Sequence, residues 1–182
     1  MLRDKGKVIE GVKLILEGIG ISLDDENFRD TPERYARFLE ELLEPKLNSD
    51  DYVRYTASSN GIVVVSGIRA YGLCPHHLLP VAYEITVAYI PNGNVVGLSK
   101  LARVAKDEAS KIQLHEQTAE RIADRISELT GSGDVMVVAR AVHYCMVMRG
   151  IRAEGSETTV MTARGRLRDP ALQSIVLSLA GR

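Results

Sequence analysis

The run Ala82-Tyr-Glu-Ile-Thr-Val-Ala-Tyr-Ile90 alternates strictly, with Tyr83, Ile85, Val87 and Tyr89 on one face. A period of two maintained this long belongs to a β-strand with one face in a core. Pro91-Asn92-Gly93-Asn94 then reads as a turn. Upstream, Ile62 to Val65 is a short β-branched run after Asn60-Gly61. Downstream, residues 135–148 and 157–163 are strand-like. Two helices are predicted between these pairs of strands. One covers 100–110 with Ser99 as its cap; the other covers 115–130, with Ala119, Ile122, Ala123, Ile126 and Leu129 inside and Gly131-Ser-Gly133 ending it. This order implies an α+β fold: an antiparallel sheet with its helices on one face.

The flanks are helical. Val8, Val12, Ile15, Leu16 and Ile19 repeat with helical period over 5–19. Thr31-Pro32-Glu33 is a helix start, a hydroxyl cap followed by proline. Tyr35, Phe38, Leu39 and Leu42 supply its expected buried stripe, while Arg34 and Arg37 share another face. Residues 46–60 read as polar loop. Asp169-Pro170 starts a last helix carrying Leu172, Ile175, Val176 and Leu179. The chain thus divides into an N-terminal helical segment, 1–48, and a main domain, 49–182.

Composition sets outer bounds. The 182 residues carry 23 basic and 24 acidic side chains, a formal charge of -1, so no basic excess suggests nucleic acid as a partner. A chain this long buries roughly 70% of its extended surface and needs no disulfide framework. The two cysteines, Cys74 and Cys145, exclude a disulfide-rich secreted scaffold. No apolar leader follows the charged N-terminus, and no run approaches the ~18 apolar residues that span a bilayer. A cytoplasmic protein with no membrane partner is the expectation.

Cys74-Pro75-His76-His77 and His143-Tyr144-Cys145 together hold both cysteines and three of the four histidines. Two thiolates and an imidazole suit zinc, and a catalytic zinc takes three protein ligands plus water. Free structural cysteines and surface histidines are the bland reading. Their joint clustering weighs against it, and a Cys74–Cys145 disulfide does not suit a reducing compartment. Lys100, Arg103 and Arg149, with Arg34 and Arg37, form a candidate phosphate-binding group. Glu116 alone is unremarkable.

Taken together these runs resemble the GTP cyclohydrolase I family. The resemblance rests on Cys-Pro-His-His-Leu-Leu-Pro (74–80), Val-Ala-Tyr-Ile-Pro (87–91), Gly-Leu-Ser-Lys-Leu-Ala-Arg (97–103) and His-Tyr-Cys-Met-Val-Met-Arg-Gly (143–150). Thr-Pro-Glu-Arg-Tyr-Ala-Arg (31–37) and Ser-Glu-Thr-Thr-Val-Met-Thr-Ala (156–163) extend it, from about residue 28 to 165. It implies a tunnelling fold, assembled as a homodecamer with active sites shared between subunits and one zinc ion per subunit.

By the same resemblance Cys74, His77 and Cys145 would bind the zinc, which lowers the pKa of a water for attack on C8 of guanine. His76 would protonate the opening imidazole ring, and His143 and Ser99 would assist ribose opening and rearrangement. Formate leaves and ring closure gives 7,8-dihydroneopterin triphosphate. Glu116, with His115 beside it, would recognise guanine. Lys100, Arg103, Arg149, Arg34 and Arg37 would clamp the triphosphate.

The sequence also departs from the family pattern. Pro75 stands where Glu is usual, His115 where Gln is usual, Gln117 where Arg is usual, and Arg140 where an acidic residue is frequent. Ser110 and Lys111 replace a usual pair of arginines. These changes are expected near purine recognition. They motivate two other readings: a related ring-opening hydrolase with altered substrate or a formamide product, and a metal-stabilised oligomeric binding protein without turnover.

Overall fold

The computed structural model describes residues 2–44, 53–57, 59 and 61–181. The chain forms two compact units, Met1–Glu44 and Pro45–Arg182. The boundary expected after residue 48 lies outside the described residues.

The first unit is a helical pair, α1 (Lys5–Gly18) and α2 (Thr31–Leu43). Asp4 caps α1 by accepting from the Lys7 amide at 3.0 Å. Pro32 occupies the first turn of α2, where its missing N–H costs nothing. A Lys5–Glu40 ion pair joins the helices. Leu16, Pro32 and Ala36 are buried. Tyr35 and Phe38, expected in the buried stripe, are instead 37% and 41% exposed, and Ile15 and Ile19 lie outside. The apolar faces of these helices are broader than the contact between them.

The second unit is built on one antiparallel sheet, in the order β2 (Val63–Leu73), β3 (Pro80–Tyr89), β5 (Val135–His143), β6 (Thr158–Ala163). Two short strands, β1 (Arg54–Thr56) and β4 (Asn94–Val96), pair separately. Ile85, Val87 and Tyr89 of β3 face one way, with Val135, Val137, Ala139 and Ala141 of β5 beside them. Helices α3 (Leu98–Ala109) and α4 (His115–Thr130) cover that face with Leu101, Val104, Ala105, Ile122, Ala123 and Ile126. Burying each large aliphatic side chain there contributes about 1.5–3 kcal/mol. The opposite face is only partly covered. Ala88, Met136 and Val138 meet Leu167 and Val176 from a short 3-10 turn (Gly165–Arg168) and α6 (Pro170–Leu179). The α+β class and the antiparallel sheet are as expected; α6 adds a small second layer.

Three local expectations are corrected. Strand β2 continues eight residues beyond Val65, to Leu73. A bulge between Val65 and Ile68, with Gly67 at φ 67, shifts the alternation by one. Val63 and Val65 pack toward the core before it, Ile68 and Ala70 after it, so a period of two breaks in the sequence while the strand persists. Ser99 is not a helix cap: Gly97 holds that position and Ser99 lies exposed in the first turn of α3. The apolar run to Met148 is not all strand. β5 stops at His143, and Tyr144–Val147 forms a single helical turn, α5.

Candidate active site

Cys74 follows directly on β2, and the chain then turns. Leu78 N–H donates to the Cys74 carbonyl at 3.0 Å and Cys74 N–H to the Leu79 carbonyl at 2.9 Å. Leu78 takes φ 53 to close the turn. Pro75 is exposed on it, in a position where the fixed φ of proline suits a turn. This reversal brings His77 back beside Cys74, with Sγ and Nδ1 3.8 Å apart. On the neighbouring strand β3, Val81 pairs with His143, so the end of β5 arrives at the same place. The helical turn α5 then swings Cys145 inward. The ligand atoms of Cys74, His77 and Cys145 lie within 4.8 Å of one another.

Both cysteines are free thiols, Cys74 buried and Cys145 half-buried. Burial pushes the Cys145 thiol up, and the neighbouring Cys74 adds to it. Two sulfurs bound at about 2.3 Å to one tetrahedral ion stand about 3.8 Å apart. The three donors are therefore near the spacing a metal demands, and their thiolate and imidazole character suits zinc. Arg149 donates to Nε2 of His77 at 2.7 Å, bringing a guanidinium beside the group.

A cavity of about 580 Å³ opens against this cluster, lined by Cys74, Pro75, His76, His115, Glu116, His143, Cys145 and Thr158 among others. His115 and Glu116 come from the first turn of α4, which lies over β5 and β6. His115 is 6% exposed and packs edge-on against Tyr83, with ring centroids 5.4 Å apart. Its Nε2 donates to the Ala139 carbonyl at 3.2 Å. Its Nδ1 meets Thr158 Oγ1 at 3.0 Å and His143 Nε2 at 3.2 Å. Burial lowers the affinity of His115 for a proton, and His143 lowers it further. Burial also lowers His143, against a smaller raising effect of Glu116.

Seven of the expected site residues, Cys74, His76, His77, His115, Glu116, His143 and Cys145, thus converge from positions up to about seventy residues apart, and Arg149 stands beside them. Ser99, Lys100 and Arg103 do not line that cavity. They begin α3, whose last residue, Ala109, abuts Gly72 close to Cys74. At about 1.5 Å rise per residue, the start of α3 is roughly 15 Å from that contact. Arg34 and Arg37 belong to the first unit, where Arg34 pairs with Asp30 at 3.3 Å.

The departures from the family pattern separate in space. Pro75 and His115 line the cavity. Arg140 faces the other side of the sheet, opposite Glu84, which in turn pairs with Arg69. Ser110 donates to the Asp107 carbonyl, and Lys111 pairs with buried Glu108 at 2.6 Å. Both finish α3 rather than line the cavity. Gln117 is exposed on α4. Thr158 is the residue to which sequence reasoning gave no role; its only signal was membership of the run 156–163.

The sequence profile described as GTP cyclohydrolase I matches residues 8–181. The GTP cyclohydrolase 1 of Hyperthermus butylicus is 46% identical over 174 residues, 95% of this chain and 89% of that protein. The enzyme of the same name from Clostridium perfringens is 42% identical over 180 residues, 97% of each chain. That of Caldivirga maquilingensis is 40% identical over 170 residues, 93% of this chain and 89% of its own. Among solved structures, the apo form of the archaeosine synthase QueF-Like overlaps with a TM-score of 0.49 at 21% identity. It covers 59% of this chain and 97% of that one.

Proposed function

The chain belongs to the GTP cyclohydrolase I family, and we propose that it is a zinc-dependent GTP cyclohydrolase I. The reaction opens the guanine imidazole ring of GTP by hydrolysis, releases formate and yields 7,8-dihydroneopterin triphosphate. The observation that carries this reading is that the Cys74, His77 and Cys145 group adjoins a cavity lined also by His76, His143 and Glu116.

Cys74, His77 and Cys145 would hold one zinc ion. When bound, it supplies Lewis-acid activation of water near neutral pH. His76, exposed on the cavity wall, is free to deliver a proton to the imidazole nitrogen as the ring opens. Glu116 offers two acceptor oxygens to the adjacent N–H donors of guanine. It starts α4, where a carboxylate is favoured by the helix dipole. His143 lies one ring away from the buried His115 and is suited to moving protons during ribose rearrangement. Arg149 would meet a phosphate near the metal group.

Ser99 and Lys100 begin α3, at the end away from the Ala109–Gly72 contact beside Cys74, which supports active sites shared between subunits. Arg34 and Arg37 would serve the same triphosphate. The exposed apolar residues Leu14, Ile15, Tyr35 and Phe38 are consistent with assembly, as are the outer edges of β2 and β6, which pair with no further strand among the described residues. We take the homodecamer as the working assembly, the cytoplasm as its location, and pterin or folate synthesis as the downstream use. Among the described residues no helix is long and apolar enough to cross a membrane.

The test is to incubate zinc-loaded protein with GTP and follow formate together with the absorbance of the pterin product. Both signals are expected. Formate without pterin would move the assignment to a ring-opening hydrolase that stops early, and no change with any purine nucleotide would refute enzyme function.

A further inference from the structure

We propose that His115 is a positioning residue that fixes a proton of His143 on Nε2.

Donors and acceptors around the two rings fix where the hydrogens lie. The Ala139 carbonyl can only accept, so its contact with His115 Nε2 at 3.2 Å requires a proton on that nitrogen. A neutral imidazole then has only a lone pair at Nδ1. That lone pair faces His143 Nε2 at 3.2 Å. Two lone pairs at this distance repel, so His143 Nε2 must carry hydrogen. Thr158 leaves this conclusion unchanged. Its single hydroxyl proton reaches either the Ala141 carbonyl at 3.2 Å or His115 Nδ1 at 3.0 Å. In neither case can it protonate His143. Burial of His115, only 6% exposed, keeps it neutral.

His115 is also held rigidly. Tyr83 packs against its ring, and Ala139 and Thr158 lie on two adjacent strands. Both of its ring nitrogens are engaged inside the chain, so His115 supports the cavity from below. Guanine is left to Glu116. A carboxamide could serve in the same place: its N–H donates to a carbonyl while its C=O accepts from His143. This explains how His can stand where the family usually has Gln.

The catalytic consequence rests on the proposed GTP reading; the tautomer does not. Magic-angle-spinning NMR on zinc-loaded protein with ¹⁵N-labelled histidine rings reads the tautomer at fixed pH. With only four histidines in the chain, His143→Asn identifies the His143 signals. The expected result is Nε2–H on His143 in the native protein and in His115→Gln, and loss of that single tautomer in His115→Leu. Kinetically, His115→Leu should lower kcat by about ten- to a hundredfold, with KM for GTP within about threefold. His115→Gln should restore kcat to within about threefold.

An unchanged His143 tautomer in His115→Leu would overturn the proposal. So would a raised KM at constant kcat, which would make His115 a substrate contact. Equal loss of kcat in the Gln and Leu variants would also overturn it, reducing His115 to a packing residue. If the native protein failed to turn over GTP while the tautomer result held, the functional reading would fall and the positioning role would stand.

Discussion

Replacing Gly72 by alanine should strain the scaffold under the metal group. A Cβ at Gly72 would lie 2.2 Å from the Ala109 carbonyl oxygen and 3.3 Å from Cε2 of Tyr83. Carbon and oxygen normally meet at about 3.3 Å or more. The end of α3 must therefore recede from β2 by about 1 Å. The obstacle is backbone, and Ala109 and Ser110 are both buried, so no flexible side chain absorbs the shift. Overpacking of this kind costs about 1–3 kcal/mol. For a chain of this length each kcal/mol moves Tm by about 2–4 °C, which predicts a loss of about 2–12 °C. Because Cys74 lies two residues on, metal affinity should fall as well. Gly11→Ala in the middle of α1 is the control: nothing lies within 4 Å of its Cβ, and alanine is the better helix former. Circular-dichroism melting and metal analysis of the two variants provide the assay. A Gly72→Ala protein melting within about 1 °C of native with full metal content would refute the reasoning.

Four further outcomes are expected. Cys74→Ala or Cys145→Ala should each abolish stoichiometric zinc by elemental analysis, and retention of full zinc would refute the ligand assignment. Glu116→Ala should erode the preference for GTP over ATP more than it lowers the best rate, and an unchanged preference would remove its guanine role. Burial tends to raise Asp134, but its hydrogen bonds and ion pair with Arg166 outweigh this and hold the carboxyl below its ordinary value. The stability it adds is present above the unfolded pKa of about 3.9 and is lost as pH falls through the folded value. Asp134→Asn should therefore be less stable at pH 7 and show a flatter loss below about pH 4 in acid denaturation. His115 is lowered by burial, so its contribution is full above about pH 6.5 and declines as pH falls below that. His115→Gln should flatten the decline of stability as pH falls below about 6.5, read from denaturant unfolding at a series of pH values.

The parts of the fold legible in the sequence were those with one uninterrupted period. β3 and α4 each keep a single apolar face from end to end, and both were readable with near-correct limits. β2 was not, because the Gly67 bulge moves the core-facing set from odd to even positions. α5 was hidden because Tyr144-Cys-Met-Val is as apolar as the strand before it. Four residues cannot distinguish the two periods. Tyr35 and Phe38 misled for another reason: periodicity predicts an apolar face without saying whether the same chain covers it.

The site divided along the same line. Cys74 and His77 are three residues apart in one turn, and their pairing is visible in sequence. That Arg140 faces away from the cavity follows from register with Glu84. The His115–His143 contact joins residues 28 apart through the packing of α4 on β5, and no local pattern encodes it.

In the proposed reaction, Cys74, His77 and Cys145 would hold one metal ion that supports opening of the guanine ring. Metal-free protein titrated with zinc, with formate release from GTP recorded at each addition, tests it most directly. The rate should rise in proportion and break sharply at one zinc per chain. Full formate release before any metal is added, or a break at another ratio, would contradict the account.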